Sequence, residues 1–234
     1  MGKYTGLEDA YLSIISSLKI ASAHQNIELT YKLVDSEKIT SDNINSELDG
    51  YDGVVILPGF GVRGFEAKVN LAQYTRSNKI PTLGICLGFQ AMTVAQARNI
   101  GITNATSKEF ADQSREQEFV LTPFYENGDT MNIGGTLRLG EDKIKAKNGT
   151  LAQEIYGKAV FYERHRHRYE VTDKYRTLLE DDEFTFSGIH PDLNVAEICE
   201  VKNHPFYLGV QYHPEFTTQV LKSNPLFDSF LAKT

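Results

Sequence analysis

Two short apolar runs, each closed by glycine, proline or cysteine and each followed by a helical stretch, restrict this chain more than any other feature. Gly53-Val54-Val55-Ile56-Leu57-Pro58-Gly59 precedes Phe65 to Arg76, and Pro81-Thr82-Leu83-Gly84-Ile85-Cys86 precedes Gly88 to Arg98 (GFQAMTVAQAR). An unbroken Val/Ile/Leu run has no polar face to show to water, so a strand made from it must be covered on both sides. Strand, loop, helix, strand, turn, helix is the order of a doubly wound parallel sheet, whose ligands sit beyond the carboxyl ends of the strands. Ahead of these units, Leu7, Tyr11, Leu12, Ile15, Leu18 and Ile20 fall at mostly helical spacing and predict an amphipathic helix opening near Glu8 or Asp9. Ile27 to Val34 then reads as a strand. An open α/β sheet normally begins with a strand, and only six residues precede the first helix, so the opening strand is either cut or very short.

The second half changes character. Phe119–Leu121, Thr136–Leu139, Ala159–Glu163, Val195–Val201 and Phe206–Gln211 are short strand-like runs separated by turn residues, which suggests a mixed or antiparallel extension. No linker or repeat divides the chain. The expectation is therefore one α/β domain over residues 1–234: an open, mostly parallel doubly wound sheet flanked by helices, with an antiparallel or mixed extension.

Composition narrows the function. Apolar residues at 41% and charged residues at 24% exclude a disordered or low-complexity chain. Lys+Arg 24 against Asp+Glu 31 leaves −7, so no overall positive field draws in nucleic acid or an anionic bilayer. Cys86 and Cys199 are the only cysteines, too few for a disulfide framework and without zinc-ligand spacing, which fits a reducing, cytoplasmic setting. No apolar run approaches the roughly 18 residues of a membrane span.

Gly84-Ile85-Cys86-Leu87-Gly88 is G-x-C-x-G between a buried strand and a helix, the thiol counterpart of a nucleophile elbow. The helix start beneath such a thiol favours the thiolate. A small inert Cys closing a strand is the competing reading. A thiolate nucleophile needs a base, and Tyr212-His213-Pro214-Glu215 ends an apolar run. If His213 and Glu215 are extended they project to one side, so Glu215 orients one ring nitrogen and leaves the other for Cys86; a surface histidine at a strand end is the alternative. In Glu163-Arg164-His165-Arg166-His167-Arg168-Tyr169-Glu170, an extended chain puts three arginines on one face and two histidines on the other. A metal reading of the His pair lacks a third ligand nearby in sequence, so no metal site is assigned. The arginines suit either a solvated edge strand or a carboxylate or phosphate ligand. Gly59-Phe60-Gly61-Val62-Arg63-Gly64 matches G-x-G-x-x-G, yet no acidic residue stands at Ile80 to Cys86 to hold a ribose, and no G-x-x-x-x-G-K-[ST] occurs, which argues against dinucleotide and ATP sites.

Together these pieces resemble the class I glutamine amidotransferase (glutaminase) domain of CTP synthase. The likeness runs through Gly2-Lys3-Tyr4-Thr5 with Leu7 and Asp9-Ala10-Tyr11, PTLGICLGFQ (81–90), GGTLRLG (134–140), ERHRHRYE (163–170) and His213-Pro214-Glu215-Phe216, nearly the whole chain. The resemblance implies that Cys86 attacks the carboxamide of L-glutamine to give a thioester and ammonia, with His213 as acid and base and Glu215 behind it. It implies an oxyanion site at the N–H groups of Leu87 and Gly59, worth several kcal/mol. Glutamine recognition would fall to Gly59, Phe60, Leu87, Gln90, Glu109 and Arg168; Arg168 suits the α-carboxylate and Glu109 the α-ammonium. The family passes its ammonia to a synthase domain that aminates UTP with ATP, under stimulation by GTP. No cofactor is expected in this chain, since ATP and Mg²⁺ would belong to the absent synthase domain, in the same polypeptide or in another. Arg63, in the lid-like loop, is the expected GTP-responsive residue.

Two positions depart from the family pattern. Pro-Gly-Gly-Phe-Gly becomes Pro58-Gly59-Phe60-Gly61, one glycine short: either a glycine is deleted, or Pro58, which has no N–H to donate, stands where the first glycine was, so the alternative reading is a docking or regulatory module of little activity. Glu-Gly-Lys becomes Glu66-Ala67-Lys68, which would stiffen the lid if that position needs positive φ.

Overall fold

The computed structural model describes residues 1–123 and 137–234. In chain order it contains α1 (Leu12–Gln25), α2 (Ile44–Leu48), β1 (Val54–Ile56), α3 (Phe65–Ser77), β2 (Thr82–Ile85), α4 (Leu87–Asn99), β3 (Ala105–Ser107), β4 (Glu118–Pro123), β5 (Arg138–Ala146), α5 (Leu151–Tyr156), β6 (Val160–His167), β7 (Tyr169–Val171), α6 (Asp173–Leu178), β8 (Phe184–Ile189), β9 (Ala196–Val201), β10 (Tyr207–Val210) and α7 (Pro225–Leu231). The main sheet runs β1-β2-β10-β9-β8-β5-β6, and a three-stranded sheet runs β3-β4-β7. β1, β2 and β10 are mutually parallel, whereas every pairing from β10 outward to β6 is antiparallel. The expected parallel core with an antiparallel extension is present, but the sheet is not mostly parallel: among the described residues, two of the six pairings in the main sheet are parallel and four antiparallel. A parallel pairing needs a crossover such as α3 between β1 and β2, whereas β8, β9 and β10 follow one another through short connections.

Both faces of the parallel strands are covered, which is why their sequences are continuously apolar. Alternation sends Val54 and Ile56 towards Phe65, Val69, Phe89 and Met92 on one face. It sends Leu57, Leu83 and Ile85 towards Tyr11, Ile14, Phe206 and Phe230 on the other.

The predicted helices at 65–76 and 88–98 appear as α3 and α4. The N-terminal helix begins with a 3₁₀ turn, Glu8–Tyr11, that runs into α1. Leu7 and Leu12 of the predicted stripe are exposed while Ile14 is buried, because the tighter turn shifts the buried face. Residues 27–34 form no ladder, contrary to the strand expected there. Their neighbour is the short segment 1–3, which supplies only the bridge Gly2–Asp35 and the bonds Gly2 N–Val34 O (2.9 Å) and Ser36 N–Gly2 O (2.8 Å). On its other side that segment meets β1 through Leu57 N–Met1 O (2.9 Å), so residues 1–3 lie between β1 and residues 34–36, where the opening strand was expected. The strand expected at Thr136–Leu139 starts at Arg138 and continues to Ala146; Gly134, Gly135 and Thr136 lie outside the described residues. Among the described residues no helix is long and apolar enough to cross a membrane.

Candidate active site

Adjacent parallel strands end at one level, so the segments leaving β1, β2 and β10 meet: Pro58-Gly59-Phe60, Cys86 and Gln211 to His213. Pro58, Gly59, Phe60, Cys86, His213 and Glu215 line one cleft of about 320 Å³, with Tyr4, Tyr11 and Arg166.

Cys86 caps α4 with φ 53° and ψ −100°, a strained conformation for a residue with a side chain. Neither flanking glycine takes positive φ. Their role is room: a Cβ on Gly88 would stand 2.2 Å from the Ile56 carbonyl oxygen, and one on Gly84 2.3 Å from Met92 Sδ. The glycines let α4 lie against β1 and β2, and that packing holds the cysteine in its turn. Cys86 N–H donates to Val210 O at 2.8 Å, tying the elbow to β10. Its Sγ lies 4.0 Å from the Arg166 carbonyl and receives Gln211 Nε2 at 3.8 Å.

His213 Nδ1 lies 2.7 Å from Glu215 Oε1. Glu215 reaches it from the 3₁₀ turn Pro214–Phe216 rather than from the extended chain the sequence suggested, because Pro214 opens that turn. Phe216 stacks on the ring at 5.1 Å, and the backbone N–H of His213 donates to Arg164 O at 2.8 Å. Burial pulls the imidazolium pKa down, but the charge and hydrogen bonding of Cys86 and the Glu215 carboxylate outweigh it and raise the pKa to about 10.

Leu87 begins α4, so its N–H has no partner within the helix. Gly59 sits beside it: a Cβ on Gly59 would be 3.7 Å from Leu87 Cδ2. Glu109 lies in the 3₁₀ turn that follows β3, capped by Ser107, and its Oε1 accepts the Gly61 N–H at 2.7 Å. Burial raises its carboxyl pKa, opposed by that bond and by the charges of Lys3 and Arg168. Arg168 is exposed just past β6, on the face of Arg164 and Arg166. Gln90 is buried on α4, its Nε2 shared between Tyr169 O (3.4 Å) and Gln211 Oε1 (3.3 Å), its Oε1 unpartnered among the described residues. Arg63 is tethered, with Nη1 2.7 Å from Glu37 Oε2 and Nη2 2.5 Å from Lys3 O. Ala67 lies inside α3 at a helical φ, so the glycine expected there is not needed; positive φ falls at Gly61 and Gly64.

The chain is similar to known proteins over nearly all its length. Residues 7–233 match the family model "Glutamine amidotransferase class-I". The chain belongs to the class I glutamine amidotransferase family. It is 58% identical over 231 residues to a CTP synthase of Mycoplasmopsis pulmonis, covering 99% of this chain and 43% of that protein. Against a CTP synthase of Halalkalibacterium halodurans the identity is 44%, again with 99% of this chain and 43% of the relative covered. It thus spans less than half the length of these relatives. Among solved structures, the glutaminase domain of Trypanosoma brucei CTPS with bound acivicin superposes with TM-score 0.88 at 31% identity, covering 96% of this chain and 88% of that one.

Sequence reasoning missed several residues around this cleft. Lys3 Nζ donates to Phe60 O at 3.0 Å and to Gly61 O, and Lys68 Nζ donates to Leu57 O. Burial lowers the Lys3 ammonium to about 8 and that of Lys68 to about 7. A lysine reads as a solvated charge in a sequence, and nothing local marks these two as buried. Gln211 did carry a signal: it is a polar side chain closing a buried strand, two residues before His213. The predicted alternation at 164–168 holds, and the fold adds Glu197 of β9 to the His pair, with one ligand atom from each of His165, His167 and Glu197 within 4.8 Å. The positive charge in this cluster comes from Arg138, 2.8 Å from both Glu170 Oε1 and Glu197 Oε1. His165 Nδ1 and His167 Nε2 lie 3.0 Å apart, and burial together with the neighbouring positive charge lowers both imidazole pKa values.

Proposed function

We propose that this chain hydrolyses L-glutamine to glutamate and ammonia through a thioester on Cys86, and that the ammonia aminates UTP to CTP on a synthase domain. The observation that carries the reading is the meeting of Cys86, the His213–Glu215 pair and the Gly59 loop in one cleft at the ends of three parallel strands. Cys86 Sγ attacks the carboxamide carbon, and the adduct's oxyanion takes the N–H groups of Leu87 and Gly59. His213, held as imidazolium, gives its proton to the departing ammonia; the neutral ring then takes a proton from the water that opens the thioester. Glutamate leaves and Cys86 is restored. Glu109 meets the α-ammonium and Arg168 the α-carboxylate, each a charge-assisted contact, while Phe60 and Gln90 shape the pocket.

Ammonia then passes to the synthase domain, in the same polypeptide or in a separate one, and ATP and Mg²⁺ act there. The similarity to CTP synthases and the composition support this partner and a cytoplasmic setting. GTP would reach Arg63 by competing with Glu37 for its guanidinium.

The test is glutamate release by the chain, its Cys86→Ala variant, and labelling by an electrophilic glutamine analogue located by mass spectrometry. Turnover that disappears in Cys86→Ala, with label on Cys86, is expected. Label without turnover, alone and with the synthase partner, would favour the second reading, a docking module whose loop lacks the missing glycine.

A further inference from the structure

Resting on the glutaminase reading, the geometry points to Tyr11 as a positioning residue: its hydroxyl fixes the Pro58–Gly59 peptide so that the Gly59 N–H serves the oxyanion. The hydroxyl meets three backbone groups. It accepts from Lys3 N–H at 2.9 Å and Tyr4 N–H at 3.4 Å, and it donates to the Pro58 carbonyl at 3.3 Å. A phenol has one proton and two lone pairs. Two N–H donors occupy the lone-pair side, so the single proton has Pro58 O as its acceptor, and the polarity of the contact is set.

A planar trans peptide points its C=O and N–H in opposite directions. With Pro58 O turned to Tyr11, the Gly59 N–H is turned away from it. The rest of the loop is held in the same manner: Leu57 O by Lys68, Phe60 O and Gly61 O by Lys3, and Gly61 N–H by Glu109. Among the described residues, the N–H groups of Gly59 and Phe60 alone between Leu57 and Gly61 have no acceptor. The loop thus ties its carbonyls back and leaves two donors free beside Cys86 and Leu87. The proline that cannot donate is used for its carbonyl, and the shortened loop keeps a donor.

Tyr11 is itself closely seated. Its ring lies against Gly2, where a Cβ would come within 2.6 Å of it, and stacks with Tyr4 at 6.1 Å. Removing the hydroxyl alone leaves that packing in place.

Tyr11→Phe is tested in the 234-residue chain by two rates and a melt. Glutamine hydrolysis builds an oxyanion, whereas alkylation of Cys86 by iodoacetamide does not. The expected result is a kcat for glutamate release about 10- to 100-fold lower, below the loss of a whole oxyanion donor, with KM and the Cys86 alkylation rate and its pH profile close to the parent's, and a melting temperature only a few degrees lower, because Lys3 N–H and Pro58 O lose their partner. An unchanged kcat in a parent that turns over overturns the role of Tyr11 and leaves the glutaminase reading standing. So does a kcat loss matched by slower alkylation or by a raised KM, because that pattern belongs to a disturbed pocket. A parent chain that releases no glutamate, alone and with its synthase partner, overturns the glutaminase reading and this inference with it.

Discussion

The two sides of the proposed reaction centre are built on opposite principles. The nucleophile side, Gly84 to Gly88, is shaped by backbone sterics: two glycines let α4 lie on the strands, and the packing forces Cys86 to φ 53°. The oxyanion side, Leu57 to Gly61, has little regular structure and is held by side chains from distant parts of the chain: Lys3, Tyr11, Lys68 and Glu109. The first kind of construction tolerates no added atom. The second has several ties, each removable singly.

The comparison breaks most sharply at Gly88. In Gly88→Ala the new Cβ would stand 2.2 Å from a backbone oxygen that cannot rotate away, so α4 must leave β1. Overpacking of this kind costs about 3 kcal/mol, roughly 6–12 °C in melting temperature for a chain of this size, and thermal denaturation should show it together with loss of glutamine turnover. A melt within 2 °C of the parent would mean that the elbow is not sterically built.

Glu109 probes the other side. In Glu109→Gln an amide oxygen still accepts the Gly61 N–H, so the loop keeps its shape, but the charge offered to the α-ammonium is gone. A charge-assisted bond is worth about 1.5–3 kcal/mol, so KM for glutamine should rise roughly 10- to 100-fold with kcat little changed. Steady-state kinetics separates this from a loop that has moved, which would lower kcat instead.

Lys68 gives the smallest effect and the clearest sign. Burial, with the charge of Lys3 adding to it, lowers its ammonium pKa from 10.5 to about 7. Between those values the unfolded chain holds the proton and the folded chain does not, so this group makes stability rise as pH rises from about 7 to 10.5. Lys68→Met removes the buried charge and leaves the Leu57 carbonyl unpaired, two effects of similar size that offset near pH 6. The variant should therefore melt close to the parent at pH 6 and fall behind it at pH 9; parallel stability curves would refute a lysine held this way.

The difference in construction also explains what the sequence disclosed. G-x-C-x-G between an apolar run and a helix is legible because the steric demand falls within five residues. His213 and Glu215 were found for the same reason, although the turn that joins them is 3₁₀ and not extended. Glu109 and Arg168 came from the family likeness, and the fold brings Glu109 to Gly61 across 48 positions. Lys3 and Lys68 were passed over because their burial depends on which strands flank residues 1–3, a matter of sheet order. The strand expected at 27–34 failed likewise: among the described residues the pairing to segment 1–3 falls at Val34 to Ser36, past the apolar run that suggested it.

The sequence by itself determined the covered parallel strands, the elbow, the His-x-Glu pair and the alternation of arginine with histidine at 164–168, all set by residues a few positions apart. Only the tertiary structure decided that Glu197 and Arg138 join His165 and His167, and that the N-terminal segment holds the loop from Pro58 to Gly61. Those contacts are closed by chain segments tens of residues apart. No local spacing encodes them, because the sheet order that brings the segments together is settled by burial of both faces at once.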